Sequence, residues 1–280
     1  MAVLTTSFPA GAETGSTTAA SRQPYASANG ARRLFEGLFS GWGDEGMLPQ
    51  KNPFGGQIPA TARSSAIVED ALIRLQPDLA AVGLRAGSPM LLRLFKEEGE
   101  LEIWMKPEGE SLYALFRILR LSAVAGSPGP KLREGDGQAP EGFYEIARGA
   151  LIPETGHHLG LDIGYPNPLD RALGRNGNGV WIHGGGTNAA GGYALSATAI
   201  EEVYALADAS LRHGADSIPV HLFPFRLTDS RMDRVVAEGG RWTDFWVSLK
   251  EGYDFFDNVR LPPAVEMSEG RPRFEIARRD

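Results

Sequence analysis

Trp181-Ile-His183-Gly-Gly-Gly-Thr-Asn-Ala189-Ala-Gly-Gly192-Tyr193 is the stretch around which the rest of the chain is read. A short apolar run ends in a histidine. A loop of small and polar residues follows, and two further glycines lead toward a helical segment. A histidine at a strand end can be oriented as a base, while the amides of the next loop hold an oxyanion. Glycines let that backbone approach a substrate and adopt positive φ. Nothing in the loop looks like the nucleophile that such a histidine serves.

The 280 residues suffice for one large domain or two small ones, and a hydrophobic fraction of 42% supports a packed core. A formal net charge of −7 argues against a nucleic-acid binder, which needs clustered Lys and Arg. Thirty-five glycines and nineteen prolines imply many turns and a β-rich fold. With no cysteine in the chain, disulfides, zinc–thiolate sites and cysteine nucleophiles are excluded. No apolar run approaches the roughly 18 residues of a membrane-spanning helix. Residues 1–20 have neither a basic n-region nor an apolar h-region, so the chain reads as cytoplasmic or as a mature form with a start Met.

Outward from the central stretch, Asn176-Gly-Asn-Gly179 predicts a turn before a strand over Val180–His183. Thr198 with Glu201 predicts a capping box opening a helix, which Gly214 should stop. Ile218–Phe225 reads as a strand, and helices are expected over 231–238 and 243–256. Upstream, Met90–Met105 reads as a β-hairpin turning at Lys96–Glu100. Leu112–Val124, Phe143–Ile146 and His158–Ile163 read as strands, and Gly126–Gly142 as a long loop. Ser65–Leu79 has helical periodicity that Pro77 should kink or end. Residues 1–64 read as an irregular Ala/Ser/Gly/Pro-rich arm with one apolar cluster at Leu34–Trp42, and 266–280 as a C-terminal tail. The expected fold class is mainly β (α+β), with flanking helices.

Five histidines occur, at 157, 158, 183, 213 and 221. None has metal-ligand spacing, so no metal and no other cofactor is expected. His157 and His158 are adjacent and should face opposite sides of a strand. His213 and His221 read as hydrogen-bonded, half-buried residues. The run His183-Gly-Gly-Gly186 looks like a lipase oxyanion loop, but the nearest G-x-S-x-G, Ala125-Gly-Ser127-Pro-Gly129, lies upstream and carries a proline after the serine. Gly174-Arg-Asn-Gly177-Asn-Gly179 has glycines spaced like a nucleotide loop but precedes a strand, where that loop would follow one.

Several blocks in order resemble the YkuD-domain L,D-transpeptidases, in their YafK-like murein transpeptidase branch. They are Gly129-Pro-Lys-Leu-Arg-Glu-Gly-Asp-Gly-Gln-Ala-Pro-Glu-Gly-Phe-Tyr144, Leu161-Asp-Ile-Gly-Tyr-Pro-Asn167 with Asp170-Arg171 and Gly174-Arg175, the His183–Gly191 signature, and His221-Leu-Phe-Pro-Phe225. The resemblance runs from about Leu72 to about Pro263. It implies a YkuD-type mixed β-sheet sandwich, with residues 65–265 as the catalytic domain. It also implies acyl transfer at the diaminopimelate of a peptidoglycan stem peptide through a cysteine thioester, in the periplasm. The acceptor would be a second stem, an outer-membrane lipoprotein or water. Carried over, His183 is the base, Gly191 the signature glycine and Ala189 the place of the signature serine. Gly192 then stands at the nucleophile, where the family has cysteine. That position admits three readings: a cysteine exchanged for glycine in an active enzyme, a peptidoglycan-binding pseudoenzyme, or another nucleophile, Thr187 or Ser196. A stem-peptide hydrolase of the same lineage is the alternative activity. Arg171 and Arg175 are candidate partners of stem carboxylates, or a structural ion pair and turn. Asn188 is a candidate for a substrate amide, and Tyr193 either lines the cleft or packs beneath it.

Overall fold

The computed structural model describes residues 56–189, 191–268 and 271–276, with side chains to Val265. The apolar cluster at Leu34–Trp42, and all of the expected arm before residue 56, lie outside the described residues.

Nine strands form one sheet: β1 (Met90–Phe95), β2 (Glu100–Met105), β3 (Ala114–Val124), β4 (Gly142–Ala147), β5 (Leu151–Thr155), β6 (His158–Asp162), β7 (Trp181–His183), β8 (Tyr193–Leu195) and β9 (Ser217–Phe223). Their order is β4-β9-β1-β2-β3-β8-β7-β6-β5. The 11-residue β3 joins two halves: Ala114–Arg120 pairs with β2, and Leu121–Val124 with β8. Pairing is antiparallel except for β1 with β9 and β7 with β8, which are parallel. Both sheet halves contribute to one core, with Leu92, Leu94 and Ile103 from one side and Leu161, Ile182 and Leu195 from the other. The structure is thus a mixed α+β fold with a large sheet and flanking helices, the expected class.

The helices are α1 (Ala62–Ala81), α2 (Pro168–Ala172), α3 (Ala197–Arg212), α4 (Asp229–Glu238) and α5 (Thr243–Val259). Strand β1 shows how they layer. It is buried along its whole length, yet its side chains alternate between faces as a strand must. Leu92 and Leu94 face the main core that holds Leu75 and Leu79 of α1 and Val203 of α3. Phe95 joins Phe223, Leu249 and Tyr253 under α5. Arg93, 2% exposed, lies over the rings of Phe223, Tyr253 and Phe256 and pairs with Asp257 of α5 at 2.6 Å.

Several expectations are corrected. Helix α1 runs through Pro77 to Ala81. Proline removes the bond to the carbonyl of Ile73 and crowds that carbonyl, but Ile73 is 63% exposed, so water can take the place of the lost N–H. The cap of α3 is Ser196, which accepts from Ala199 N at 3.2 Å, so the helix starts before the expected Thr198 box. Thr61 caps α1, so the folded unit begins before residue 65. The expected tail instead contains the second strand of a hairpin, β10 (Pro263–Ser268) with β11 (Arg271–Ile276).

Candidate active site

Strand β7 delivers His183 between β6 and β8, opposite Gly160 and Ala194. The side chain is 2% exposed. Its Nδ1 lies 3.0 Å from the carbonyl oxygen of Gly184, and its Nε2 lies 3.2 Å from that of Ala189. A neutral imidazole has one N–H and can donate to one of these at a time. The ring of His157 packs on that of His183, with centroids 4.6 Å apart.

Gly184 and Gly185, the first two glycines after His183, are held by packing. A Cβ on Gly184 would collide with the side chain of Ile200 in α3 and sit 3.2 Å from the carbonyl oxygen of His157. One on Gly185 would meet the His157 backbone at 3.2 Å. The turn before β6 therefore lies against this loop. It is anchored through His158, whose Nε2 is 2.9 Å from Glu201 and whose Nδ1 is 3.2 Å from Arg63. His157 and His158 diverge as the sequence suggested, one toward His183 and the other toward Glu201.

Position 192 is tighter still. Gly192 N donates to Ala189 O at 2.7 Å, the same carbonyl that meets His183 Nε2. Ala125 N donates to Gly192 O at 3.1 Å, joining this turn to the end of β3. A Cβ at 192 would fall well inside contact distance of the Trp181 carbonyl oxygen and 3.1 Å from Trp181 N. The backbones of β7 and of the residue entering β8 approach more closely than any side chain permits.

A cleft of about 840 Å³ opens beside this turn. Thr187, Asn188, Ala189 and Gly191 line it from the histidine loop, and Lys131 and Glu134 from the loop between β3 and β4. His183 and Gly192 are not among its lining residues. The second loop is built on charge. Asp136 accepts from Lys131 Nζ at 2.8 Å and from the amides of Leu132, Arg133 and Gln138. Burial alone would raise the pKa of its carboxyl, but these donors outweigh it and hold the group at about 2. At the base of the loop, buried Lys96 meets Glu141 at 3.0 Å and donates to the carbonyls of Gly129 and Ala139. Burial lowers the pKa of Lys96, and Glu141 opposes that shift.

The other candidates scatter. Arg175 is buried, pairs with Asp170 at 2.9 Å and lies over the Phe245 ring. Asp170 also accepts from Tyr144 Oη at 2.7 Å, so this cluster ties α2 to β4. Exposed Arg171 donates to the carbonyl of Pro166. Tyr193 is fully buried, donates to Pro140 O at 2.7 Å and is not among the residues lining the cleft. Asn188 and Thr187 line the cleft, while Ser196 is engaged as the cap of α3. His213 bonds Ala209 O at the end of α3. His221 is a correction: it is fully enclosed against Phe143, Phe223 and Phe256, and its Nδ1 has no partner among the described residues. Burial first, then the Arg93 charge, pushes its pKa well down. Residue spacing missed the stack of His157 on His183 and the Ala189 carbonyl. Contacts made by turns and backbone leave no mark in a side-chain pattern.

The chain is 38% identical over 185 residues to YafK of Escherichia coli strain K12, a protein provisionally named as an L,D-transpeptidase. The match covers 66% of this chain and 73% of that protein, and YafK of E. coli O157:H7 matches equally. This chain belongs to the YafK-like L,D-transpeptidase family. No protein-family model matches it. Among solved structures, it is similar to the helical cell shape determining protein Pgp2 of Campylobacter jejuni, at 17% identity and a TM-score of 0.38, over 69% of this chain and 80% of that one. It is also similar to Bd1075 of Bdellovibrio bacteriovorus, at 18% identity and a TM-score of 0.34, over 60% of each chain. Such distant likenesses leave the YafK-like fold to rest on its own sheet. No helix among the described residues is long and apolar enough to cross a membrane.

Proposed function

We propose that this protein receives a peptidoglycan stem peptide in the cleft beside the His183 loop and, with glycine at 192, forms no thioester with it. Thioester chemistry needs a sulfur on the residue that His183 serves. The observation that carries this reading is the closure of the turn on Ala189 O. That carbonyl meets both the Gly192 amide and His183 Nε2, the nitrogen on which a nucleophile would depend. Backbone of Trp181 fills the space a side chain at 192 would need. His183, Gly191 and Gly192 stand as the remnant of the catalytic turn. Asn188 is assigned to the bound peptide, and Arg171, Arg175 and Tyr193 to holding the surrounding frame. The periplasm, where stem peptides are found, is the assigned site of action.

A second reading draws on the absence of any cysteine: the chain is an active transpeptidase, or a stem-peptide hydrolase, whose one thiol has been exchanged for glycine. Both readings are tested together. The protein and Gly192→Cys are incubated with purified muropeptides and, separately, with a carbapenem. Binding is followed by calorimetry and products by mass spectrometry. The expected result is binding without product for the present chain, and no acyl adduct on a folded Gly192→Cys. Product formed by the present chain overturns the first reading. An adduct on Cys at 192 establishes the second.

A further inference from the structure

We infer that Glu134 reads a primary ammonium on the bound stem peptide, so that the cleft selects stems whose diamino acid keeps its side-chain amine free. The inference rests on the cleft being a stem-peptide site.

Two charged side chains line the cleft, Lys131 and Glu134. They differ in what surrounds them. Lys131 is 5% exposed, and its Nζ is spent on Asp136 at 2.8 Å and on Arg133 O at 3.0 Å. Glu134 is exposed, and among the described residues no Lys, Arg or His lies within ion-pair distance of its carboxylate. The formal charge left facing the cleft is therefore negative.

This carboxylate is also fixed in place. Glu134 N donates to Asn176 Oδ1 at 3.0 Å, and Asn178 N donates to Glu134 Oε2 at 3.1 Å. The residue is thus clamped at both its backbone and its head to the turn that leads into β7. The loop behind it is held by the four donors on Asp136. Among the described residues no hydrogen bond reaches Oε1, which keeps its acceptor capacity for a ligand. A pre-placed acceptor of this kind loses little rotamer freedom when it binds.

A stem peptide offers several carboxylates and a diamino acid with one side-chain ammonium. A cleft whose unpaired charge, among the described residues, is negative repels the former and attracts the latter. Blocking the amine by acylation removes the charge and the charge-assisted hydrogen bond together. A cross-link through that nitrogen does the same, so the cleft discriminates uncross-linked from cross-linked stems.

The test is a binding cycle on the full chain. A disaccharide tetrapeptide with a free side-chain amine is compared with the same compound acetylated at that amine, each against the protein and Glu134→Gln. Glutamine keeps an oxygen for Asn178 N, so the clamp survives. The expected result is about tenfold weaker binding for the acetylated ligand, within the scale of one charged hydrogen bond. Glu134→Gln should weaken the free-amine ligand by the same factor and leave the acetylated one unchanged. Equal affinity for both ligands, or a preference that survives Glu134→Gln, overturns the assignment to Glu134 and leaves the stem-peptide site standing. Failure of either ligand to bind at millimolar concentration overturns the stem-peptide site itself.

Discussion

Two glycine-rich loops flank the same cleft, and they are held by different physics. In residues 184–192, Gly184, Gly185 and Gly192 stand where neighbouring atoms crowd a Cβ, with Ile200, His157 and Trp181 as the neighbours. At the tip of the loop between β3 and β4, no neighbour lies within 4 Å of a Cβ placed on Gly135 or Gly137, although Gln138 and Trp242 crowd Gly126 and Gly129 nearer its ends; at the tip the backbone takes positive φ, and charge holds the turn. Similar composition thus encodes a packed turn on one side and an electrostatic one on the other. The first should respond to added volume and the second to lost charge.

The largest expected effect is on the charged side. Lys96→Ala leaves the Glu141 carboxylate buried without its cation and should destabilise the fold by about 3–5 kcal/mol in denaturant unfolding. A cost below about 1 kcal/mol would break the electrostatic half of the comparison. Next is the packed side. Gly192→Cys forces the Trp181 backbone to move and should cost about 3 kcal/mol, toward the upper end for an overpacked site. Unchanged stability would show that β7 and β8 separate easily. Asp136→Asn exchanges a carboxylate for an amide among four donors and should cost roughly 2 kcal/mol.

The same aspartate gives a pH test. Its carboxyl is held at about 2, below the ordinary 3.8, so the folded state binds that proton less readily than the unfolded chain. The stabilisation is complete above about pH 4 and is lost as pH falls toward 2. Unfolding measured across that range should lose part of its slope in Asp136→Asn, whereas an identical slope would place the acid sensitivity elsewhere. The smallest effect is assigned to Arg171→Ala. That exposed side chain bonds one carbonyl, and its loss should change stability by less than about 0.5 kcal/mol and leave muropeptide binding unaltered.

Much of the frame was legible in the sequence because it rests on local pattern. Leu91 to Phe95 and Leu101 to Trp104 announce β1 and β2, and Lys96 to Gly99 supplies the turn. Strand β8 was not legible. Its three residues are too few to show a period, and only pairing with β3 and β7 makes them a strand. Pro77 read as a break because its local cost is visible and the burial of Leu79 beyond it is not. At the site, His183 at the end of a strand was legible from the apolar run before it. That Arg175 serves Asp170 depends on where α2 meets β4, which spacing cannot report.

The sequence by itself determined the composition of the site: a strand-end histidine, a glycine loop after it, and no side chain at 192. Chemistry of that kind is a property of residue types and holds wherever the chain goes. The tertiary structure alone decided that the Ala189 carbonyl lies 3.2 Å from Nε2 and that Trp181 closes the space at 192. It also decided that, among the described residues, Glu134 has no cationic partner while Lys131 is paired with Asp136. These are contacts of backbone with backbone or with a ring nitrogen, and of a charged loop with the turn that leads into β7. No one-dimensional pattern records them, because they exist only once β7, β8 and the loop after β3 are packed around one cleft.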